Sequence, residues 1–390
     1  MHRFSNVIEN PNFRFYGNVQ VGKVVSVNEL LSSYNAVIMA HGLSNSKKLG
    51  IEGENLKQVY DASEIVGWYN GCPKRKELSP RLKGNVVIVG QGNVALDIAR
   101  LFLSPVELLR ATDIPQQALD ILSKSEIESI SIVGRRGPLQ ASFTTAEMRE
   151  ILAMKGVSFD LNRELIMEQG KKYESFISEN RPLKRYFDLL SKQESTIGSK
   201  RLSFKYCLSP HSIIGRESCS SIVFRKTILD GNCNPKLEKA ISTNETVEIP
   251  ADLIIKSIGY TGERVCKVPF DEKSGTIPHK FGHVFDPKAK SVIPNLYTAG
   301  WAKTGSVGEL ASTRMDAYDT ADSVVDDLND FPFPQKRGHT ELEEILKSRS
   351  CRWTTFEQWQ KIDREEVRRG LNAGKSRQKF LSFDEMISIK

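Results

Sequence analysis

Two glycines and an alanine separate a predicted buried strand from a predicted amphipathic helix. The strand is Val86–Val89, and the small residues are Gly90, Gly92 and Ala95. In this pattern the first glycine permits a tight turn and the second lets the backbone approach a pyrophosphate, while the alanine lets helix and strand pack closely. A phosphate is favoured at the N-terminus of such a helix. The pattern predicts a dinucleotide site, and the alternative is a plain strand-to-helix turn.

Two adjacent arginines follow the next predicted strand. This strand, Ile130–Val133, runs through a glycine into Arg135 and Arg136, and the turn contains no acidic residue. In dinucleotide-binding folds an acid here contacts the 2′-hydroxyl of NAD, whereas arginine contacts the 2′-phosphate of NADP. Guanidinium groups are forked, permanently charged donors that suit a phosphate. The pair therefore favours NADP. An exposed basic turn is the alternative, because the insertion 104–128 makes the spacing from Gly90 longer than usual.

A third segment, Ala299–Leu310, is rich in glycine and precedes another predicted helix. Such a turn can present backbone N–H groups to an anion or to a flat polar heterocycle, and Trp301 could stack on a ring. Considered alone, the segment is better explained by a loop and a core tryptophan. The pair His279 and His283 predicts no metal site, because the intervening Gly282 disfavours a helix that would place both on one face.

Composition limits the class of protein more than its function. The chain has 390 residues, of which 39% are hydrophobic and 26% charged, which excludes collagen-like, coiled-coil and wholly disordered classes and predicts two or three globular domains. The net charge of +7 suits an acidic protein or a phosphorylated cofactor as well as nucleic acid. Six single cysteines without a C-x-x-C pair argue against structural zinc and disulfides. No apolar run is long enough for a bilayer span.

Strands separated by helical segments predict a parallel sheet with both faces covered. The predicted strands are Asn35–Ala40, Val86–Val89, Ile130–Val133, Leu253–Ile258 and Asn295–Gly300, and helices follow at Val94–Ser104 and Leu310–Val325. Between residues 155 and 250 the pattern is less regular. There we expect an antiparallel excursion that includes Phe204–Tyr206 and Ile222–Phe224.

The C-terminal part of the chain predicts a charged helical tail. Thr355 and Gln358 have the spacing of a capping box, and Gly370 is the expected end of the helix. The alternating charges of Arg364–Arg369 are typical of a solvated helix face.

Several long strings resemble the adrenodoxin reductase family of mitochondrial NADPH:ferredoxin oxidoreductases. The most specific strings are Gly90–Asp97, Val133–Gln140 and Gly300–Trp301, and the match is strengthened by Val66–Gly71, Ser257–Tyr260 and Glu365–Gly370. Together they extend over nearly the whole chain.

The resemblance implies an α/β protein with two dinucleotide-binding, Rossmann-like domains, in which an NADP domain is inserted within an FAD domain. The expected ranges are 1–46 for the first part of the FAD domain, 47–265 for the NADP domain, and 266–390 for the rest of the FAD domain with the helical tail. In such an enzyme a hydride passes from NADPH to FAD, and single electrons then pass to a [2Fe–2S] ferredoxin.

Motif matching also implies the site residues. Those expected at NADP are Gln91, Gly92, Asn93 and Val94 for the pyrophosphate, Arg135 and Arg136 for the 2′-phosphate, and Glu147, the expected catalytic residue, near the nicotinamide. Those expected at FAD are Trp301, Gly308, Glu309 and Leu310, with Gly308 also touching the nicotinamide. Three basic residues are expected to dock the acidic ferredoxin, namely Arg149, Arg181 and Arg185.

One departure from the family pattern is large. Family members begin with a strand and a glycine-rich FAD fingerprint, followed by an acid for the FAD ribose, and this chain aligns only after them. We therefore expect the chain as written to bind NADP more tightly than FAD, and the strand Ala36–Ala40 to have an exposed edge. Two alternatives stay open: a non-catalytic NADP- or ferredoxin-binding fragment, and an NADPH-dependent flavoenzyme with another acceptor.

The family also implies a location on the matrix side of mitochondria. Residues 1–20 have the character of neither a secretory signal nor an organelle presequence. Nucleic acid is not among the expected partners, and peripheral contact with a membrane stays open.

Overall fold

The computed structural model describes residues 5–194, 196–232, 234–306, 310–330 and 334–389, with side chains omitted at 5, 310–312 and 330. The chain divides into two compact units. One consists of Met1–Asn45, Tyr260–Glu365 and Phe383–Lys390, and the other of Ser46–Gly259 and Glu366–Ser382. We call them the outer-segment unit and the central unit.

A six-stranded sheet forms the core of the central unit, and every neighbouring pair in it is parallel. This confirms the predicted α/β class with a parallel sheet. The strand order across the sheet is Val59–Asp61, Leu253–Lys256, Lys83–Val89, Glu126–Val133, Lys200–Lys205 and Val157–Asp160.

Alternate residues of the strand Lys83–Val89 face opposite sides of this sheet. Val86 and Ile88 pack into a cluster with the helices, whereas Val87 and Val89 pack into a second cluster with Ile222. Burial on both faces explains why the strand is continuously apolar. The helices are Ala62–Tyr69, Asn93–Leu103, Val106–Arg110, Gln116–Leu122, Thr145–Leu152, Arg163–Lys172, Glu174–Glu179 and Arg181–Ser191. Two of them lie within the insertion 104–128 and account for its length.

A three-stranded antiparallel sheet, Leu208–Gly215, Cys219–Leu229 and Ala240–Pro250, provides the second cluster. The predicted antiparallel excursion is therefore correct for Ile222–Phe224. It is wrong for Phe204, which lies in the parallel strand Lys200–Lys205. Three consecutive residues, Leu202, Ser203 and Phe204, are buried, so the strand is covered on both faces. The polar Ser203 interrupts the apolar run that would have indicated such a strand.

The outer-segment unit contains a mixed four-stranded sheet, in the order Val37–Met39, Ser291–Thr298, His283–Asp286 and His279–Lys280. The first two strands are parallel, with Met39 opposite Thr298, and Val37–Met39 is an edge strand among the described residues. The helices are Ser5–Ile8, Val27–Ser33, Trp301–Thr304, Leu310–Asp330, His339–Ser348 and Phe383–Ser388. Short strands pair at Asn45–Ser46 and Tyr260–Thr261.

The tail helix is Phe356–Asn372, and its residues from Glu366 onward belong to the central unit. Thr355 and Gln358 form the predicted capping box, since each side chain accepts a hydrogen bond from the other residue's backbone N–H. Gly370 does not end the helix, contrary to the prediction. A Cβ at Gly370 would lie 2.5 Å from the Cα of Arg377, so the glycine permits close approach of the returning chain.

The expectation of a fully solvated face at Arg364–Arg369 is also wrong at one position. The Glu366 carboxylate is buried and accepts hydrogen bonds from Arg377 Nη1 at 2.7 Å and from the Phe380 backbone N–H at 3.0 Å. The Arg369 guanidinium lies 4.0 Å from the centre of the Phe380 ring. This carboxylate therefore anchors the chain that follows the helix.

None of the helices in the described part of the chain combines the length and apolar character needed to cross a bilayer.

Glu366→Ala should lower the free energy of unfolding by about 2–4 kcal/mol, because it leaves a partly buried arginine and a buried N–H without their acceptor. Glu357→Ala, on the exposed face of the same helix, removes only a pair with Lys361 at 3.4 Å and should cost less than about 0.5 kcal/mol. Urea denaturation of both variants measures the difference. Equal losses would show that Glu366 is no more than a surface charge.

Candidate functional site

Gly90 makes the sharp turn at the carboxyl end of the strand Lys83–Val89. Its φ is +127°, and a Cβ there would lie 2.0 Å from the carbonyl oxygen of Ser257. Its N–H donates to the Val133 carbonyl at 2.8 Å, which joins the turn to the next strand. Glycine is therefore required for both conformation and space.

Gly92 has the opposite surroundings. It precedes the helix Asn93–Leu103 with extended backbone, and no atom lies within 4 Å of the position a Cβ would take. Ala95, one turn into the helix, is fully buried against the sheet. The open glycine leaves room for a pyrophosphate at a helix N-terminus. Gly90 therefore makes the predicted tight turn, and the role of Gly92 at a pyrophosphate stays a prediction.

The segment 140–147 is attached to this turn. The Ser142 N–H donates to the Gln91 carbonyl at 2.9 Å, and the Thr144 N–H donates to the Asn93 side chain at 2.9 Å. Thr144 in turn caps the helix Thr145–Leu152 by accepting from the Glu147 N–H at 3.3 Å. Glu147 therefore lies one helical turn from a residue bonded to the glycine-turn helix.

Glu147 also belongs to a charged cluster around Arg100. Its carboxylate lies 3.7 Å from Arg100 Nη1, and Arg100 also pairs with Asp97 at 2.8 Å and with Glu150. Burial raises the pKa of Asp97, against the nearby Arg100 charge. The sequence analysis did not identify Arg100 as part of the site, because a lone helical arginine has no distinguishing local pattern.

Arg135 and Arg136 lie where the strand Glu126–Val133 ends, at the same sheet edge as Gly90, because Val133 is in register with Val89. Arg135 is exposed and Arg136 half-buried. Neither guanidinium forms an ion pair with a carboxylate of the described residues. Burial, followed by the charge of Arg135, lowers the pKa of Arg136. Two adjacent, uncompensated cations fit a phosphate dianion.

In the outer-segment unit, the carboxyl ends of two parallel strands also meet. The Ala299 N–H donates to the Met39 carbonyl at 3.1 Å, so the segment after Met39 lies beside the turn that carries Trp301. Gly42, with φ +68°, has no atom within 4 Å of a Cβ position. Trp301 is half-buried and stacks on Tyr260 with ring centroids 6.1 Å apart. Open backbone and stacked aromatic rings at such an edge fit a flat heterocyclic cofactor.

A buried ion pair holds the Trp301 turn. Lys303 Nζ lies 2.8 Å from Asp316, and the other oxygen of Asp316 accepts from the Gly300 N–H at 3.1 Å. Asp316 belongs to the helix Leu310–Asp330, of which the predicted FAD residue Leu310 is the first. The predicted FAD residues Gly308 and Glu309 lie outside the described residues.

The three predicted docking arginines lie on two helices that pack together, Thr145–Leu152 and Arg181–Ser191. Arg149, Arg181 and Arg185 are all exposed, and Arg181 and Arg185 are one helical turn apart. None of the three forms an ion pair with a carboxylate within the part of the chain that the structure describes. They therefore present free positive charge.

The parallel sheet, the glycine turn before a helix and the paired arginines define a dinucleotide-binding α/β protein with features suited to NADP.

Comparison with known proteins identifies the family. No model of a known protein family matches the chain. Mitochondrial NADPH:adrenodoxin oxidoreductases from Salvelinus fontinalis and Homo sapiens are each 35% identical over 408 residues, which covers 100% of this chain and 80% and 81% of theirs. The NADPH-ferredoxin reductase FprA of Mycobacterium tuberculosis is 35% identical over 398 residues, or 99% of this chain and 85% of FprA. The structure of FprA in complex with NADPH matches with a TM-score of 0.90 and 35% identity, covering 100% of this chain and 85% of that chain.

The chain belongs to the NADPH:adrenodoxin oxidoreductase family, which confirms the resemblance read from its motifs. The roles of the individual site residues stay predictions.

The two glycines of the turn can be separated by experiment. Gly90→Ala should destabilise the fold by at least about 2 kcal/mol, because a Cβ would overlap the Ser257 carbonyl. Gly92→Ala should change the free energy of unfolding by less than about 1 kcal/mol. It should nevertheless raise the Kd for NADPH by about tenfold or more, because the methyl group occupies the pyrophosphate position. Urea denaturation and NADPH titration measure the two effects, and a Gly92→Ala variant with unaltered NADPH affinity would contradict the assignment.

Proposed function

We propose that this protein is an NADPH:ferredoxin oxidoreductase that uses FAD. The observation that carries the proposal is the pair Arg135 and Arg136, which has no ion-pair partner among the described residues and lies at the same sheet edge as an open glycine turn, in a chain of this family. A protein that bound NAD would be expected to have an acid at this strand end.

The residues of the central unit bind and orient the nicotinamide nucleotide. Gln91 to Val94 hold the pyrophosphate at the helix N-terminus, and Arg135 and Arg136 hold the 2′-phosphate. We assign Glu147 to the nicotinamide side. Its link through Thr144 to Asn93 supports this role, because it joins the first turn of the Glu147 helix to the segment that would hold the pyrophosphate.

The outer-segment unit would hold the flavin beside Trp301, with Gly308, Glu309 and Leu310 in the following segment. When bound, FAD accepts a hydride from NADPH and returns electrons one at a time. The protein's own contribution is to fix the Trp301 turn through the ion pair of Lys303 with Asp316 and to cover one side of the site with the ring of Tyr260.

The partner follows from the relatives and from the exposed charge. The curated relatives include proteins named adrenodoxin oxidoreductase and ferredoxin reductase. We propose that the acceptor is an acidic ferredoxin of the [2Fe–2S] type, docked by Arg149, Arg181 and Arg185. One group of relatives is named as mitochondrial, and another relative is bacterial. From the first group we propose the matrix side of mitochondria as the location.

The purified protein tests this function directly. We expect it to retain FAD, to oxidise NADPH, and to reduce a [2Fe–2S] ferredoxin, followed by coupled reduction of cytochrome c. Turnover with ferricyanide but not with ferredoxin would indicate a flavoenzyme with another acceptor. NADP binding without FAD binding would indicate a non-catalytic fragment.

Arg136→Ala should raise the Kd for NADPH by about ten- to a hundredfold, because a charge-assisted contact to the 2′-phosphate is lost. The Kd for NADH should remain nearly unchanged, since NADH has no group at that position. Arg163→Ala, an exposed arginine on another helix of the same unit, is the matched control. An equal loss of affinity for NADPH and NADH would count against the assignment.

Replacing Arg181 and Arg185 with Glu should raise the Kd for an acidic ferredoxin and reduce its dependence on salt, because the steering charge is reversed. NADPH affinity should not change. The control makes the same charge change at Arg216 and Arg225, which are exposed on the antiparallel sheet. Surface plasmon resonance at several salt concentrations compares the variants. Similar losses of ferredoxin affinity in the two double variants would mean that only the net charge of the protein matters.

A further inference from the structure

A buried carboxylate lies beneath the loop that carries the two arginines. Glu238, just before the last strand of the antiparallel sheet, has a fully buried side chain. Its carboxylate accepts hydrogen bonds from Gln140 Nε2 at 2.9 Å, from the Tyr173 hydroxyl, and from Lys172 Nζ at 2.6 Å. A buried charge is retained only when it is fully paired in this way.

Gln140 connects this carboxylate to the loop Gly134–Gln140. Its Nε2 also lies 3.1 Å from the Tyr173 hydroxyl, and the residue itself is buried. Burial, and then the Glu238 carboxylate, raises the pKa of Tyr173 to about 12, so the phenol remains a donor. Glu238 is thus the acceptor at which the loop end and two residues of the adjacent helical segment converge.

The antiparallel sheet supports the same loop a second time. The Thr227 hydroxyl donates to the Arg135 carbonyl at 2.7 Å, and the Thr227 N–H donates to the Cys207 carbonyl at 2.8 Å. The Cys207 N–H in turn donates to the Arg136 carbonyl at 3.1 Å. The main chain at both arginines is therefore tied to the sheet that also carries Glu238.

The charge of Glu238 bears on the arginines as well. Arg135 and Arg136 repel each other, and Arg136 is half-buried without a carboxylate in contact among the described residues. The Glu238 carboxylate opposes that repulsion at Arg136. Because its side chain is fully buried, Glu238 favours the charged guanidinium from within the protein.

We propose that Glu238 is a positioning residue for the 2′-phosphate arginines, and that the antiparallel sheet, through Glu238 and Thr227, sets the preference for NADPH over NADH. This inference rests on the proposed function, because it assumes that the arginine pair binds the 2′-phosphate. The discrimination is thereby assigned to residues that are far from the arginine pair in sequence, of which Glu238 has a fully buried side chain.

The test uses the whole protein and two probes that differ only in the 2′-phosphate, 2′,5′-ADP and 5′-AMP. Glu238→Gln keeps the shape of the side chain but removes two acceptor lone pairs and the charge. We expect the Kd for 2′,5′-ADP to rise about tenfold and that for 5′-AMP by less than about twofold. Glu245→Gln, an exposed acid on the same sheet paired with Lys226 at 2.7 Å, should change neither.

Thr227 provides a second test that does not remove a buried charge. Thr227→Val should raise the Kd for 2′,5′-ADP by about fivefold and leave that for 5′-AMP nearly unchanged. Thr227→Ser keeps the hydroxyl and should have the Kd of the unmodified protein. If Thr227 only stabilises the fold, Thr227→Val should lower the melting temperature and weaken the binding of both probes equally.

The outcomes separate this inference from the function on which it rests. If the unmodified protein does not prefer 2′,5′-ADP to 5′-AMP, the proposed NADP site fails, and the inference with it. If the preference is present and Glu238→Gln and Thr227→Val both keep it, only the inference fails. Tighter binding of 2′,5′-ADP by Glu238→Gln would also overturn it, since the carboxylate would then act merely as a repelling charge.

Discussion

The contact on which the site depends is the packing of Gly90 against the carbonyl of Ser257. It joins the ends of two neighbouring parallel strands so closely that no side chain fits between them, and the Gly90 N–H extends the connection to Val133 on the third strand. Since parallel strands end at one edge, the register of Val89 with Val133 places the open turn at Gly92 beside the loop of Arg135 and Arg136. The nucleotide-binding features are therefore a consequence of strand register rather than of loop design.

The second face of the same sheet explains the rest of the central unit. A three-stranded antiparallel sheet covers Val87 and Val89, where a second layer of helices is usual in doubly wound folds. This sheet reaches the arginine loop from its central strand and from the segment that leads into its last strand. Here Thr227, in the strand Cys219–Leu229, and Glu238, just before the strand Ala240–Pro250, connect the covering layer directly to the loop that carries Arg135 and Arg136.

The sequence predicted those parts of the fold whose signal is local. The apolar run Val86–Val89, the glycine turn and the arginine pair are each formed by neighbouring residues, so each pattern can be recognised without knowledge of the fold. Phe204 was misassigned, because its strand acquires its parallel partners from residues far away in the chain. Gly370 was taken for a helix end, since the returning segment that requires a glycine there cannot be read from its neighbours. Glu238 has no local signal either, because its partners are 65 and 98 residues away.

Buried charge recurs at the functional edges of both units. In the central unit, Lys256 ends its strand next to Gly90 and pairs with Glu54 at 3.0 Å and Asp61 at 2.9 Å. In the outer-segment unit, Lys303 and Asp316 hold the Trp301 turn in the same way. Desolvation makes such pairs poor sources of stability, and apolar residues of the same volume would often stabilise a fold more. Such pairs instead fix the geometry of a site. A buried charged pair is stable in only one arrangement of donors and acceptors, whereas an apolar contact tolerates many. A protein that must hold a flat ring in a fixed orientation needs rigid strand ends, and these ion pairs fix the strand end at Lys256 and the turn before Trp301 in one arrangement.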